Sequence, residues 1–194
     1  MTTDDGGVTL RAIIENATGR PVSRADAGTT LVDRGNDTPA PSELLASTIA
    51  DATSVVGVIP RIETSLLDRL ADEDGRNARD EAAIEVAAEV TTESGRTSLD
   101  ARVVLVGRAR DRIGGSAGFA IRSLLDDVPV EVFVAPGDSP IGVLLADDRA
   151  IIGHFDEAGL AALLVSDDDE IRAWAAETIR RYLSVAEPLS ATDA

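Results

Sequence analysis

Between residues 139 and 187 the chain alternates short apolar runs with acidic, glycine-containing turns. Residues 141–146, 150–155 and 160–165 are apolar, and Asp147-Asp148-Arg149 and Asp156-Glu157-Ala158-Gly159 separate them. Runs of that length bounded by Asp and Gly predict the strands of an antiparallel meander. Ser166-Asp167-Asp168-Asp169-Glu170 follows, which reads as an N-cap serine with acids in the first turn, where the helix dipole favours negative charge. The helix it opens carries Ile171, Trp174, Ala175, Thr178, Ile179, Tyr182 and Leu183 on one face. Glu177 and Arg181 are spaced for an i,i+4 pair on the other.

Upstream, residues 8–17 (VTLRAIIENA) have helical spacing at Leu10, Ile13 and Ile14 and stop at Thr18-Gly19-Arg20-Pro21. Residues 19–41 are rich in Gly, Asp, Thr and Pro, with Leu31-Val32 their only pair of adjacent large apolar residues, and read as loop. The expected organisation is therefore a largely irregular arm over residues 1–40 and a single α/β domain over 41–190. In that domain Pro41-Ser42-Glu43 opens a helix to about residue 52, and 54–59 (SVVGVI) is a buried strand stopped by Pro60. Helices are expected over 63–71, 78–90 and 119–125, with strands at 102–106 (RVVLV) and 130–134 (VEVFV) and a loop over 107–118. Strands alternating with helices predict a parallel βαβ core. The meander then extends it, so the fold class is α/β: a mixed sheet closed by a C-terminal amphipathic helix.

Gly142, Asp148, Arg149, Ala150, Gly153, Gly159, Leu160, Ser166, Asp167, Asp168, Trp174 and Tyr182 stand in an order that resembles the effector domain of archaeal TrmB-type sugar-responsive regulators and the related methanogenesis and filament-growth regulators. The resemblance implies a phospholipase-D-like topology and a non-catalytic role in sensing a small ligand, in mediating dimerisation, or both. It also implies a winged helix-turn-helix ahead of the sensing domain, usually with basic residues on its recognition helix. The first 40 residues do not supply one, so no direct DNA binding is expected from this chain.

Charge narrows the picture. The chain has 35 acids against 18 bases, every base is Arg, and the net charge is −17. That balance predicts a haloarchaeal source, where about 1 M salt shrinks the Debye length to ~3 Å and acidic self-repulsion is screened. The absence of Cys excludes a disulfide framework and a thiol nucleophile. No run approaches the ~18 apolar residues of a membrane span, and the acidic N-terminus does not read as a signal peptide. A soluble, cytoplasmic protein is expected.

The candidate chemistry lies in Gly107-Arg108-Ala109-Arg110-Asp111-Arg112-Ile113-Gly114-Gly115-Ser116-Ala117-Gly118. It follows a predicted parallel strand at its carboxyl end, where open α/β sheets bind ligands. Arg108, Arg110 and Arg112 can grip phosphate or carboxylate bidentately, while Gly114, Gly115 and Ser116 let backbone approach an anion. The ligand expected is a small anionic, sugar-related metabolite, and the protein partner a second copy or a DNA-binding regulator. The same stretch, with Val128-Pro129-Val130 after it, is similar to the nucleotide loop of universal stress proteins, which makes nucleotide binding the alternative. A ligand-free interaction domain is the second. His154 is the sole histidine and reads as a strand-end residue bonded to a neighbour or water. Phospholipase-type chemistry needs paired His and Lys motifs, and the chain has no Lys, so no enzymatic activity is expected. The acidic runs 72–74 and 167–170 read as a solvated turn and a helix N-terminus, and no metal or cofactor is expected.

Overall fold

The computed structural model describes residues 6–19, 21–22, 28–35, 37–62, 100–114 and 130–189. Its centre is three parallel strands: β2 (Ser54–Ile59), β3 (Asp100–Leu105) and β4 (Val130–Val134). Their β-branched residues suit a sheet covered on both faces, and Val55, Val58, Val104 and Leu105 are all buried. Strands β5 (Ile141–Ala146), β6 (Arg149–Asp156) and β7 (Gly159–Ser166) form the expected antiparallel meander. β5 docks antiparallel beside β2, so both halves form one mixed sheet.

The turn between β5 and β6 is held by Asp147. Its carboxylate accepts from the Thr53 hydroxyl at 2.8 Å and the Ser54 N–H at 2.9 Å, tying the meander to the entrance of β2. Asp147 adopts a φ of 49°, which Asp tolerates better than most residues.

Two helices cover one face of the sheet. They are α1 (Gly6–Thr18) and the terminal helix, labelled α4 (Asp169–Leu183). Leu10, Ile14, Ile171, Ala175 and Ile179 pack there with Val58, Val104, Val143, Ile152 and Leu164. On the other face α2 (Pro41–Ala50) sets Leu44, Leu45 and Ile49 against Val55, Ile151 and Leu163. Beside it α3 (Gly107–Gly114) buries Ala109 and Ile113 against Leu105.

Several expectations change. Within the expected irregular arm, residues 6–18 form a helix and 29–33 a strand. α1 contributes fully buried Leu10 and Ile14, and β1 (Thr29–Asp33) pairs antiparallel with β7 along the sheet edge. Leu31 and Val32 are too short a run to announce a strand alone, but β7 offers them an unpaired edge, and Thr29 Oγ1 meets Ser166 Oγ at 2.7 Å. At the opposite edge β8 (Glu187–Pro188) caps β4, giving the order β1-β7-β6-β5-β2-β3-β4-β8. The N-cap of α4 is Asp168, not Ser166: its Oδ1 accepts from Glu170 N at 2.9 Å and Ile171 N at 3.1 Å. Ser166 Oγ instead accepts the Asp168 N–H. Glu177 pairs with Arg180, an equally near i,i+3 neighbour, rather than with Arg181. The helices expected at 63–71, 78–90 and 119–125 lie outside the described residues.

β2 carries both kinds of pairing, and Gly57 sits at its middle. A Cβ there would lie 2.7 Å from the Val143 carbonyl oxygen and against the Leu144 side chain. Gly57→Ala should therefore cost about 1–3 kcal/mol by overpacking. Urea unfolding reads this directly, and an unchanged midpoint would mean that the two strands are less closely apposed.

Candidate functional site

Because β2, β3 and β4 run parallel, their carboxyl ends share one edge of the sheet, where ligands of open α/β sheets bind. Backbone bonds knit the segments leaving them. Val106 N donates to Ile59 O at 3.1 Å, Ala109 N to Pro60 O at 3.0 Å, and Gly107 N to Gly137 O at 3.0 Å. The antiparallel half reaches the same edge, since Ile141 opens β5 opposite His154 near the end of β6.

A cavity of about 280 Å³ opens here, lined by Arg61, Arg108, Asp138, Ser139, Pro140 and Phe155. Arg61 leaves β2, Arg108 stands in the first turn of α3, and 138–140 follow β4. Phe155 comes from β6, where the register against β7 shifts between His154 and Phe155. Such irregularities re-aim side chains beside functional sites. Its ring lies over paired Gly142 and Gly153, and a Cβ at Gly142 would come within 3.2 Å of it. Glycine in these strands makes room for the aromatic wall.

The cavity carries two cations and one anion. The Asp138 carboxylate is held by the Ser139 N–H at 2.8 Å and lies against Gly107, whose φ of 49° and close contact leave no space for a side chain. Arg61 donates to the Asp156 carbonyl oxygen. Asp156 in turn pairs through its carboxylate with Arg34. Burial opposes the Asp156 charge, but the Arg34 hydrogen bond, the Ala158 N–H, and the charges of Arg34 and His154 outweigh it. The carboxyl therefore titrates below the ordinary Asp range.

The expected loop at 107–118 is a helix over its first eight residues. Ala109 and Ile113, at i,i+4, bury against the sheet and hold it, a signal that the flanking glycines obscured. Helical spacing then separates the arginines. Arg108 and Arg112 share a side, and Arg110 lies about 200° round from Arg108. Arg108 lines the cavity, Arg112 donates to Ile62 O at 2.9 Å, and Arg110 is exposed away from the lining. Gly114 ends the helix, while Gly115 and Ser116 lie outside the described residues. The part of the likeness to universal stress proteins that lies in 107–114 is thus helix, and its Gly115-Ser116 part lies outside the described residues.

Arg61, Asp138, Ser139, Pro140 and Phe155 were not singled out from sequence. Arg61 could have been, because it follows the other parallel strand as Arg108 does; Phe155 carried no such signal. His154 is buried and lines no part of the cavity, and its Nδ1 has no hydrogen-bond partner among the described residues. Among those residues no group of His, Asp and Glu is arranged to hold a metal, and no helix is long and apolar enough to cross a membrane.

Solved structures of known proteins place the fold. The archaeal chromatin protein TrmBL2, described as showing a novel mode of DNA binding, superposes with a TM-score of 0.51 at 11% identity, over 94% of this chain and 62% of that one. This chain thus spans less than two thirds of TrmBL2. Nuc from Salmonella typhimurium, a phospholipase D family member, gives 0.53 at 11% identity over 84% and 99% of the two chains. NucT from Helicobacter pylori gives 0.53 at 16% identity over 83% and 98%. The fold is therefore the phospholipase-D-like mixed α/β sheet. No curated protein matches the sequence. The family model for the middle domain of the methanogenesis regulatory protein FilR1 matches residues 82–185, and the chain belongs to that family. The resemblance to TrmB-type and methanogenesis regulators is borne out.

The lowered pKa of Asp156 fixes the sign of a pH effect. A carboxylate whose folded pKa lies below its unfolded value contributes stability that is present above about pH 4 and lost as pH falls through the folded value. Asp156→Asn should be less stable than wild type at pH 7 by at most about 1 kcal/mol, since the pair is partly exposed. Urea unfolding from pH 7 to 3 should show that gap closing in the acid range. A gap that widened there would reverse the assignment.

Proposed function

We propose that this chain is a non-catalytic effector domain of a transcriptional regulator, and that its cavity binds a small anionic metabolite. One observation carries the reading. In a protein of net charge −17, two of 18 arginines converge on one cavity at the carboxyl ends of parallel strands. Guanidinium forks match phosphate and carboxylate geometry. Asp138 and Ser139 supply acceptors for hydroxyl groups, and Phe155 an apolar wall, which favours a sugar phosphate over a bare anion.

The site reading differs from the sequence-based one in its residues: Arg61 and Arg108 bind, and Arg110 does not. Phospholipase-type catalysis is not proposed, since its paired His and Lys motifs have no counterpart in a chain with one His and no Lys. Direct DNA binding is not proposed either, because a net charge of −17 opposes the neutralisation of phosphates on which it depends. The domain acts in the cytoplasm as a homodimer or with a DNA-binding regulator.

A thermal-shift screen in molar KCl with sugars, sugar phosphates and nucleotides tests this. A ligand at about 100 times its Kd stabilises by about 2.7 kcal/mol, or roughly 5–10 °C for this size. The shift should vanish in Arg61→Ala and Arg108→Ala and persist in Arg110→Ala. A response to ATP alone would favour a nucleotide-binding domain, and no response to any compound a pure interaction domain.

A further inference from the structure

The cavity is wired to the amino-terminal edge of the sheet. Arg61 lines the cavity and donates to the carbonyl of Asp156, the residue next to Phe155 in the cavity wall. The Asp156 carboxylate accepts from Arg34 and, at 2.8 Å, from the Ala158 N–H. Arg34 is the first residue beyond β1, and its own N–H donates to Ala161 O at 2.9 Å. The register shift between β6 and β7 pairs His154 with Ala162 and Phe155 with Leu160, so Ala161 has no β6 partner in the ladder. The irregularity that places Phe155 in the cavity wall thus lies beside Ala161, the residue that meets the chain leaving β1.

We propose that Arg34 is a positioning residue for the anion site, acting through Asp156 on Arg61, and that occupancy of the cavity is thereby felt by β1. This rests on the reading of the cavity as an anion site. A guanidinium has five N–H donors; one spent on the Asp156 carbonyl sets its plane and leaves others for a ligand. Arg34 holds the Asp156 turn in the place that makes this possible. Preorganisation of that kind raises affinity, and linkage makes it reciprocal: an anion that fixes Arg61 must tighten the Arg34 contact. Among the described residues β1 has one strand neighbour, β7, and so forms an edge of the sheet, where amides open most easily.

The test uses the full chain with inorganic phosphate as probe, and reads both affinity and amide hydrogen exchange over residues 29–34. In wild type, saturating phosphate should slow exchange in that segment. Arg34→Ala should raise the phosphate Kd about three- to tenfold and abolish the slowing, and Arg34→Lys should recover part of both. Arg110→Ala removes the same charge from an unconnected position and should leave both unchanged. Phosphate binding that depends on Arg61 and Arg108, with Arg34→Ala like wild type in Kd and exchange, would overturn the coupling and leave the anion site standing. Binding that survives loss of Arg61 and Arg108, or no binding of phosphate or of any sugar phosphate to wild type, would overturn both.

Discussion

Strand β2 is hydrogen-bonded in parallel to β3 on one side and antiparallel to β5 on the other, and this double pairing sets the geometry of the domain. Parallel pairing with β3 and β4 brings three carboxyl ends to one edge of the sheet. Antiparallel pairing with β5 turns the meander so that the end of β6 arrives at that same edge. The cavity exists because the two modes meet. A purely parallel sheet would bring Arg61, Arg108 and Asp138 together without Phe155. A pure meander would bring Phe155 without the arginines.

Both faces of the sheet are covered by helices from distant parts of the chain. α1 and α4 share one face although more than a hundred residues separate them, and they bury Leu10, Ile14, Ile171, Ala175 and Ile179 in one core. The amino-terminal segment is therefore part of the domain's hydrophobic economy. Its strand β1 pairs with β7 as far as Ala162, beside the register shift between β7 and β6, so the edge of the sheet and the Phe155 wall of the cavity stand one strand apart.

The electrostatics sharpen this. The chain carries a net charge of −17, and in this acidic setting Arg61 and Arg108 set two cations beside the one carboxylate of the cavity lining. Two neighbouring arginines have partners of their own: Arg34 with Asp156, and Arg112 with the Ile62 carbonyl. Asp138 moderates the positive field and places an acceptor beside it, as the proposed ligand, an anion that also carries hydroxyl groups, would require.

Much of the fold was legible in contiguous patterns. The strands at 54–59, 130–134 and 141–146 fall where the β-branched and apolar runs placed them, and the stripe from Ile171 to Leu183 is the face of α4 that packs on the sheet. Hydrophobic periodicity and turn chemistry are local, so residues close in sequence suffice to reveal them. β1 escaped because two apolar residues become a strand only when β7 offers an edge. The helix at 107–114 escaped because its two buried residues sit among arginines and glycines. The candidate site was half legible: Arg108 follows from strand-then-charge, while Arg61, Asp138 and Phe155 come from segments up to 94 positions apart (155 − 61). Their meeting depends on strand order and on one register shift, neither of which any local spacing records. Composition and periodicity determine which elements form and which faces they bury; only the packed sheet decides which charges those elements bring together.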